Sequence, residues 1–364
     1  MPRLFENIIF IKNYLLGALR YQFRIYEIAL YNIDGLQSLN SFGFTISSYT
    51  LNKIRKHFHS HDAPELLKSR SHFINWCKQH DIRCPTSYGI IQKKSDLSTL
   101  KAQIQSVEKM IKTARPNQLV VKITGQSHGD GCYFIDKIDY RGEEIYVKER
   151  SGDLVPLRTF LTDCLYISEG DVTVDEYLAQ HSVLKQFHPG SLNTVRVVTF
   201  LNSDGEVEID GAVFRIGKKG LPVDSWRYGG IAAGIDLKSG KLGRGVKIGD
   251  RRGGSWYKIH PDSGIGIEGT ALPMWNEVLS LAEKAALCRP DARWIGWDIA
   301  ITNQPVLIEG NIGWALPFML VHSGGRCPAS WKKRLSDPDL PIPRDYLSGA
   351  RYFIEKIIKK QSFK

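Results

Sequence analysis

The stretch Gly296-Trp297-Asp298-Ile299-Ala300-Ile301-Thr302-Asn303-Gln304-Pro305-Val306-Leu307-Ile308-Glu309-Gly310-Asn311 reads as two apolar strands joined at Asn303-Gln304. Side chains two apart on a strand point the same way. Glu309 and Asn311 therefore share a face, and the hairpin brings Asp298 beside them. Strands this apolar are usually buried, where an unpaired carboxylate is costly. Three oxygen donors on one face suit a hard cation such as Mg²⁺, of the kind that bridges carboxylates and nucleotide phosphates. The bland alternative is three solvent-facing polar residues on a sheet edge.

Outward from this hairpin the chain alternates between helix and strand signals. Asn193–Asn202 (NTVRVVTFLN) alternates and is rich in Val and Thr, a strand that Gly205 turns into a second one over Glu206–Ile216. Leu272–Cys288 has helical spacing, with Pro273 in its first turn. Lys101–Thr113 is helical through Ile104, Val107, Met110 and Ile111. Leu119–Ile123 is a short strand that carries Lys122. Residues 71–90 read as a helix, a turn and a chain entering a sheet, and residues 1–70 as helical and basic. Helices mixed with antiparallel hairpins indicate an α+β protein.

Several segments carry chemistry-bearing residues. Lys122 precedes Thr124-Gly125-Gln126-Ser127-His128-Gly129-Asp130-Gly131, where glycines let backbone N–H groups approach phosphate oxygens. It lacks the G-K-[ST] of a Walker loop, and by itself it is equally a turn between strands. Arg196 shares a strand face with Thr194 and needs an anionic partner, either a ligand or a structural carboxylate. The loops Val223–Ile231, with Asp224, Gly229 and Gly230, and His260–Gly264 are polar and Gly-containing, suited to substrate contact or to simple turns. His57, His59 and His61 alternate near Asp62, in a context that reads as a polar helix end more than a metal site.

In order, the strand lysine, the Gly-rich loop, Val174-Asp175-Glu176-Tyr177-Leu178, S-L-N-T-V-R, V-D-S-W-x-x-G-G-I, H-P-D-S-G and G-W-D-I-A-I-T with P-V-L-I-E-G-N resemble the ATP-grasp superfamily, and most closely its sugar-transfer-associated branch. The resemblance covers roughly residues 65–320. It implies two α+β subdomains, 65–180 and 181–325, that enclose ATP, flanked by a helical region at 1–64 and a basic tail at 326–364. It implies that Lys122 contacts the nucleotide phosphates, with Lys68 as an earlier nucleotide lysine. Gln126, Ser127, His128, Gly129 and Gly131 would belong to a lid over the phosphates. Val174, Asp175, Glu176, Tyr177 and Leu178 would form the hinge that receives adenine, with Glu176 or Asp175 on the ribose. Asp298, Glu309 and Asn311 match the Mg²⁺ set. Arg196 matches the arginine that steadies the transferred group, with Asn193, Arg196, Asp224, Gly229, Gly230 and His260 toward substrate. The acidic Asp130 is a departure, since a carboxylate is a poor neighbour for phosphates.

The implied activity is ATP-dependent ligation of a small-molecule carboxylate to an amine through an acyl phosphate. Sugar-linked substrates are expected: a uronic acid or amino acid as the acid, an amino acid or amino sugar as the amine. A phosphotransferase or a nucleotide-binding scaffold of glycan assembly are the competing classes. Composition fits this frame. The 364 residues are 42% hydrophobic and 24% charged, as in ordinary folded proteins. Six cysteines form no C-x-x-C pair, which argues against a zinc knuckle and for reduced thiols. Ten Lys/Arg and four Asp/Glu from Arg326 onward account for +6 of the formal +11. A basic amphipathic segment over Tyr346–Lys364 suits an anionic membrane surface as well as a solvated face. No nucleic-acid-binding motif is present. The expectation is a cytoplasmic protein, with contact at the inner membrane surface through the tail.

Overall fold

Apolar alternation and helix caps build two sheets from this chain. The computed structural model describes residues 46–335, except 64–66, 68, 124–130, 151, 222, 249–253, 324–326 and 329, together with Glu27 and Leu30. Helix α1 spans Ser48–Arg55, and α2 spans Arg70–Gln79. Strand β1 (Ser87–Ile91), helix α3 (Leu97–Ala114), strands β2 (Leu119–Ile123), β3 (Cys132–Arg141), β4 (Glu144–Glu149) and β5 (Leu154–Pro156), helix α4 (Leu157–Ile167) and strand β6 (Val172–Glu176) follow. The six strands form one antiparallel sheet in the order β1-β6-β2-β3-β4-β5. Helices α3 and α4 cover it, with Ile104, Val107, Ile111, Leu161 and Leu165 buried against Val121, Ile135, Val147 and Val174. Helix α3 starts four residues before the sequence spacing predicts, because the Asp96 side chain caps the N–H groups of Ser98 and Thr99.

After the short helix α5 (Ser182–Lys185) come β7 (Thr194–Leu201), β8 (Val207–Ile216), β9 (Ile231–Ile235), β10 (Leu242–Ile248) and β11 (Gly254–Tyr257). Helix α6 (Trp275–Leu287), strands β12 (Trp294–Ile301) and β13 (Pro305–Asn311), and the short helices α7 (Leu316–Leu320) and α8 (Ser330–Arg334) complete the described chain. The second sheet is antiparallel in the order β11-β10-β9-β8-β7-β12-β13. Helix α6 begins after the expected Leu272, because Met274 adopts a left-handed conformation (φ +52°) that no helix interior accepts.

The two faces of this larger sheet have different fates. On one, Val195, Val197, Phe214, Ile295, Trp297 and Ile299 pack beneath α2 and α6, and Trp76 stacks on Trp297 at 5.9 Å with planes 7° apart. On the other, Val198, Phe200 and Trp294 are buried by α1, α7, α8 and the segment leading into α7, through Leu51, Ile54, Trp314, Leu320 and Trp331. That cover stops at Gly296, and the sheet beyond it, carrying Arg196, Asp298 and Glu309, opens into a cavity. Helix α2 lies in the larger sheet's core, although its sequence position precedes the smaller sheet.

Among the described residues no helix is long and apolar enough to cross a membrane, and the six cysteines are free. No three His, Cys, Asp or Glu side chains there gather as a metal cluster, the 57/59/61 histidines included. His59 instead forms a strand bridge to Ala292, and burial beside Arg55 lowers its pKa to about 4. The segments 1–26 and 336–364, with the expected tail helix, lie outside the described residues.

Helix α8 is fastened by Arg334. Its guanidinium donates to Asp210 at 2.7 and 3.1 Å and to Glu208 at 2.7 Å, over the rings of Phe200 and Trp294. Asp210 is wholly enclosed and also accepts from the Trp294 indole at 2.7 Å. Removing one partner of a buried pair leaves an uncompensated charge. Arg334→Ala should therefore cost about 3–5 kcal/mol in urea unfolding; a loss below about 1 kcal/mol would show that the fastening is energetically idle.

Candidate active site

The register of β12 and β13 sets the site. Asp298 pairs with Glu309 and Gly296 with Asn311, but Ile299 pairs with Leu307, so Ile308 is an extra residue in β13. This bulge turns Glu309 and Asn311 to the cavity face beside Asp298. The Asn311 amide donates to Glu309 at 2.9 Å. Across the other edge of β12, Asp298 pairs with Arg196 of β7. The Arg196 Nε and Nη2 both donate to Asp298, the latter at 2.6 Å. Arg215 of β8 donates to the same carboxylate at 2.8 Å and to Asp224 at 2.6 Å. Asp224 in turn accepts from the Thr194 N–H at 3.0 Å and its hydroxyl at 2.5 Å. The result is a continuous row of alternating charges: Arg196, Asp298, Arg215, Asp224.

Burial opposes ionisation of Asp298, but Arg196 and Arg215 outweigh it and hold the carboxyl well below the usual range. Glu309 differs. Its side chain is exposed to the cavity, and desolvation by the surrounding protein, followed by the charge of Asp298 with which it shares a hydrogen bond, raises its pKa. Two abutting carboxylates beside an amide oxygen, at the mouth of a cavity, make a donor set that fits a hard divalent cation. Asp298, Glu309 and Asn311 could hold it.

The cavity measures about 770 Å³ and lies between the two sheets. From the smaller sheet come Val120, Lys122, Phe134, Asp175 and Glu176; from the larger, Arg196, Val213, Arg215, Asp298, Glu309 and Asn311. Tyr177, Leu178 and Gln180 cross between the sheets and line it too. Gly131 reaches its edge with φ +73°, a conformation that favours glycine. Lys68 and the loop residues Gln126, Ser127, His128 and Gly129 lie outside the described residues.

Other expected residues have structural partners. Asp175 is buried and bonded to Arg70 of α2 at 3.1 and 2.9 Å. The Glu176 carboxylate accepts from the Thr86 N–H at 3.0 Å. Val174 is fully enclosed in the smaller sheet's core. Asn193 is also enclosed, donating to Gln180, Leu184 and His188 and accepting from the Gly217 N–H. The His260 ring lies against Ser263 (3.0 Å) and the Gly217 carbonyl (3.2 Å). The cavity wall contains neither these last three nor Gly229 and Gly230; they belong to the packing behind it. A Cβ on Gly230 would lie 2.9–3.1 Å from three carbonyl oxygens, so glycine there is a matter of space.

Sequence reasoning missed Arg215 and Arg70. Arg215 was findable by the argument applied to Arg196, since it also stands on an otherwise apolar strand. Arg70 was not, because its partners, Asp175 and the Ile308 carbonyl (3.0 Å), are remote in sequence.

The two acids should respond oppositely to substitution, measured without nucleotide or divalent cation. Asp298→Asn strips the part-buried Arg196 of its partner and leaves Arg215 only Asp224, and should cost about 3–5 kcal/mol in urea unfolding at pH 7. Glu309 binds its proton more readily folded than unfolded. Its stabilising contribution is thus complete below about pH 4.5 and is lost as pH rises through the raised value. Glu309→Gln should raise the thermal midpoint at pH 7, with the gain fading toward pH 4; a lowered midpoint at pH 7 would contradict the raised pKa.

No curated protein sequence matches the chain. A D-alanyl-alanine synthetase A from Vibrio cholerae O1 biovar eltor is 14% identical, over 72% of this chain and 62% of its own, with a TM-score of 0.41. An N5-carboxyaminoimidazole synthetase from Staphylococcus aureus complexed with ADP is 11% identical, over 76% and 56%, with a TM-score of 0.39. A D-Ala:D-Ser ligase from Enterococcus faecalis is 10% identical, over 70% and 54%, with a TM-score of 0.39. The chain thus spans less than two thirds of these proteins' lengths. The family model described as sugar-transfer associated ATP-grasp matches residues 52–328, about three quarters of the sequence, and the chain belongs to that family.

Proposed function

We propose that the protein is an ATP-dependent carboxylate–amine ligase that forms an amide. The observation that carries this reading is the convergence, in one cavity, of Lys122, the Arg196–Asp298–Arg215 row and the Asp298/Glu309/Asn311 donor set. When bound, Mg²⁺-ATP supplies a phosphoryl group that activates a carboxylate as an acyl phosphate, which an amine converts to an amide.

This chain's residues have distinct roles in that reading. Val120, Phe134, Tyr177, Leu178, Leu192 and Ile308 make an apolar slot beside the chain crossing, suited to a flat base. Residues 176–178 line the same end. Lys122 presents a point charge from the smaller sheet toward phosphate. Asp298, Glu309 and Asn311 would hold Mg²⁺, whose charge would favour the ionised form of Glu309. Arg196 and Arg215, fixed by Asp298, need no reorganisation to stabilise charge that develops near them. Catalysis here is positioning and electrostatics. The sugar-transfer association of the family supports an amide made during glycan assembly.

Calorimetry of the purified protein with Mg²⁺ and a non-hydrolysable ATP analogue should show binding. Lys122→Ala should weaken it about tenfold or more, the size expected for a lost charge-assisted contact. Steady release of ADP and phosphate should require a carboxylate and an amine together, with a product mass equal to the amide. A stable phosphate ester formed from an alcohol alone would indicate a phosphotransferase, and absent nucleotide binding would end the reading.

A further inference from the structure

The two ends of the cavity are chemically unlike. The order β13-β12-β7-β8 sets Glu309, Asp298, Arg196 and Val213 in sequence across the larger sheet. Three strand spacings separate the first from the last, about 14 Å. Tyr177, Leu178 and Ile308 mark the β13 end. At the β8 end Val213, Trp226, Ala315 and Met319, which also pack together as one apolar cluster with Ala232, line the wall beside the polar Thr194, Asp224 and Ser225, of which Thr194 and Asp224 are bonded to each other. Gly211 gives that wall its depth: a Cβ there would lie 2.6 Å from the Met319 Cε, so its absence lets the thioether lie down on the sheet. Trp314 closes one side, held by the Arg55 guanidinium, which donates to the Trp314 carbonyl at 2.8 Å and lies 5.0 Å from its ring. The boundary between this chamber and the donor set is the arginine pair. Arg215 spends its two terminal nitrogens on Asp298 and Asp224, and its buried Nε–H has no partner among the described residues.

We infer that this chamber takes the acid substrate, and that the acid has an apolar body, such as an aliphatic or aromatic acyl group or a hydrophobic amino acid, rather than the polyhydroxylated ring of a uronic acid. The inference rests on the ligase reading and names its acid. The carboxylate lies at Arg196, with Arg215 behind it adding positive charge, and the body lies against Val213, Trp226, Ala315 and Met319. A pyranose ring there would lose water from several hydroxyls, and Val213, Ala315 and Met319 return no hydrogen bonds to them. An aliphatic or aromatic body loses nothing and gains burial.

The test titrates the full chain, saturated with Mg²⁺ and the ATP analogue, with isovalerate, phenylacetate, leucine and glucuronate. At least one apolar acid should bind tenfold or more tighter than glucuronate. Val213→Thr keeps the branched shape and puts a hydroxyl on the wall, and Met319→Gln adds an amide. Each should weaken the apolar acid about five- to tenfold and leave the analogue's affinity unchanged. Glucuronate binding as tightly as every apolar acid, or variants that do not alter the ratio, would overturn the inference while the nucleotide site stands. Failure of the analogue itself to bind would overturn the ligase reading and this inference together.

Discussion

Asp298 is a carboxylate in the interior of a seven-stranded sheet, and it is tolerated there because two guanidiniums reach it from neighbouring strands. A buried charge of this kind permits little freedom. Arg196 must stand directly across from it on β7, and Arg215 must extend from β8 over Arg196's strand. A slip of one residue in either pairing would turn a guanidinium into the apolar core beneath α2 and α6. The row is extended by Asp224, which recruits the N–H and hydroxyl of Thr194 and so anchors the loop before β9. Strand register, loop position and site electrostatics thus depend on the same four ionised groups.

A second constraint decides how much of the sheet face stays open. Gly296 lies beneath both Trp314 and Arg196; a Cβ there would lie 2.8 Å from one and 2.9 Å from the other. With only a hydrogen at this position, the tryptophan-rich cover of β7 and β12 advances to the edge of the charged row and stops. Apolar packing and ionic chemistry meet there without intervening chain. Trp294, Trp314 and Trp331 meet edge-to-face on one side of that line, an arrangement aromatic quadrupoles favour.

Much of this was legible from residue order, and the reasons are local. The 296–311 hairpin declares itself because its two apolar runs, its turn and its three oxygen-bearing residues all lie within sixteen positions. Lys122 and Arg196 stand out as charges on apolar strands. Legibility fails where a polar residue could serve a ligand or the protein itself. Asn193 sits in the same string as Arg196, yet its amide is wholly consumed by four segments that it ties together. His260 carries a side chain apt for chemistry but is folded against its own turn. Local pattern cannot separate these cases, since the deciding partners, such as Gln180 for Asn193 and Gly217 for His260, come from elsewhere. The bulge at Ile308 was likewise invisible, because a strand reads the same with or without an extra residue.

That bulge also has a bearing on association. Strand β13 is the outer strand of its sheet, and a bare outer strand is a template for another chain. Here the Leu307 N–H is bonded to the Arg83 carbonyl at 2.9 Å, and the Ile308 carbonyl is taken by Arg70. Two of the edge groups that could have recruited a foreign strand are thus already spent on the chain's own α2 and the segment between α2 and β1. The contacts that aim Glu309 into the cavity therefore also act as a safeguard against sheet-to-sheet aggregation at the rim of the site.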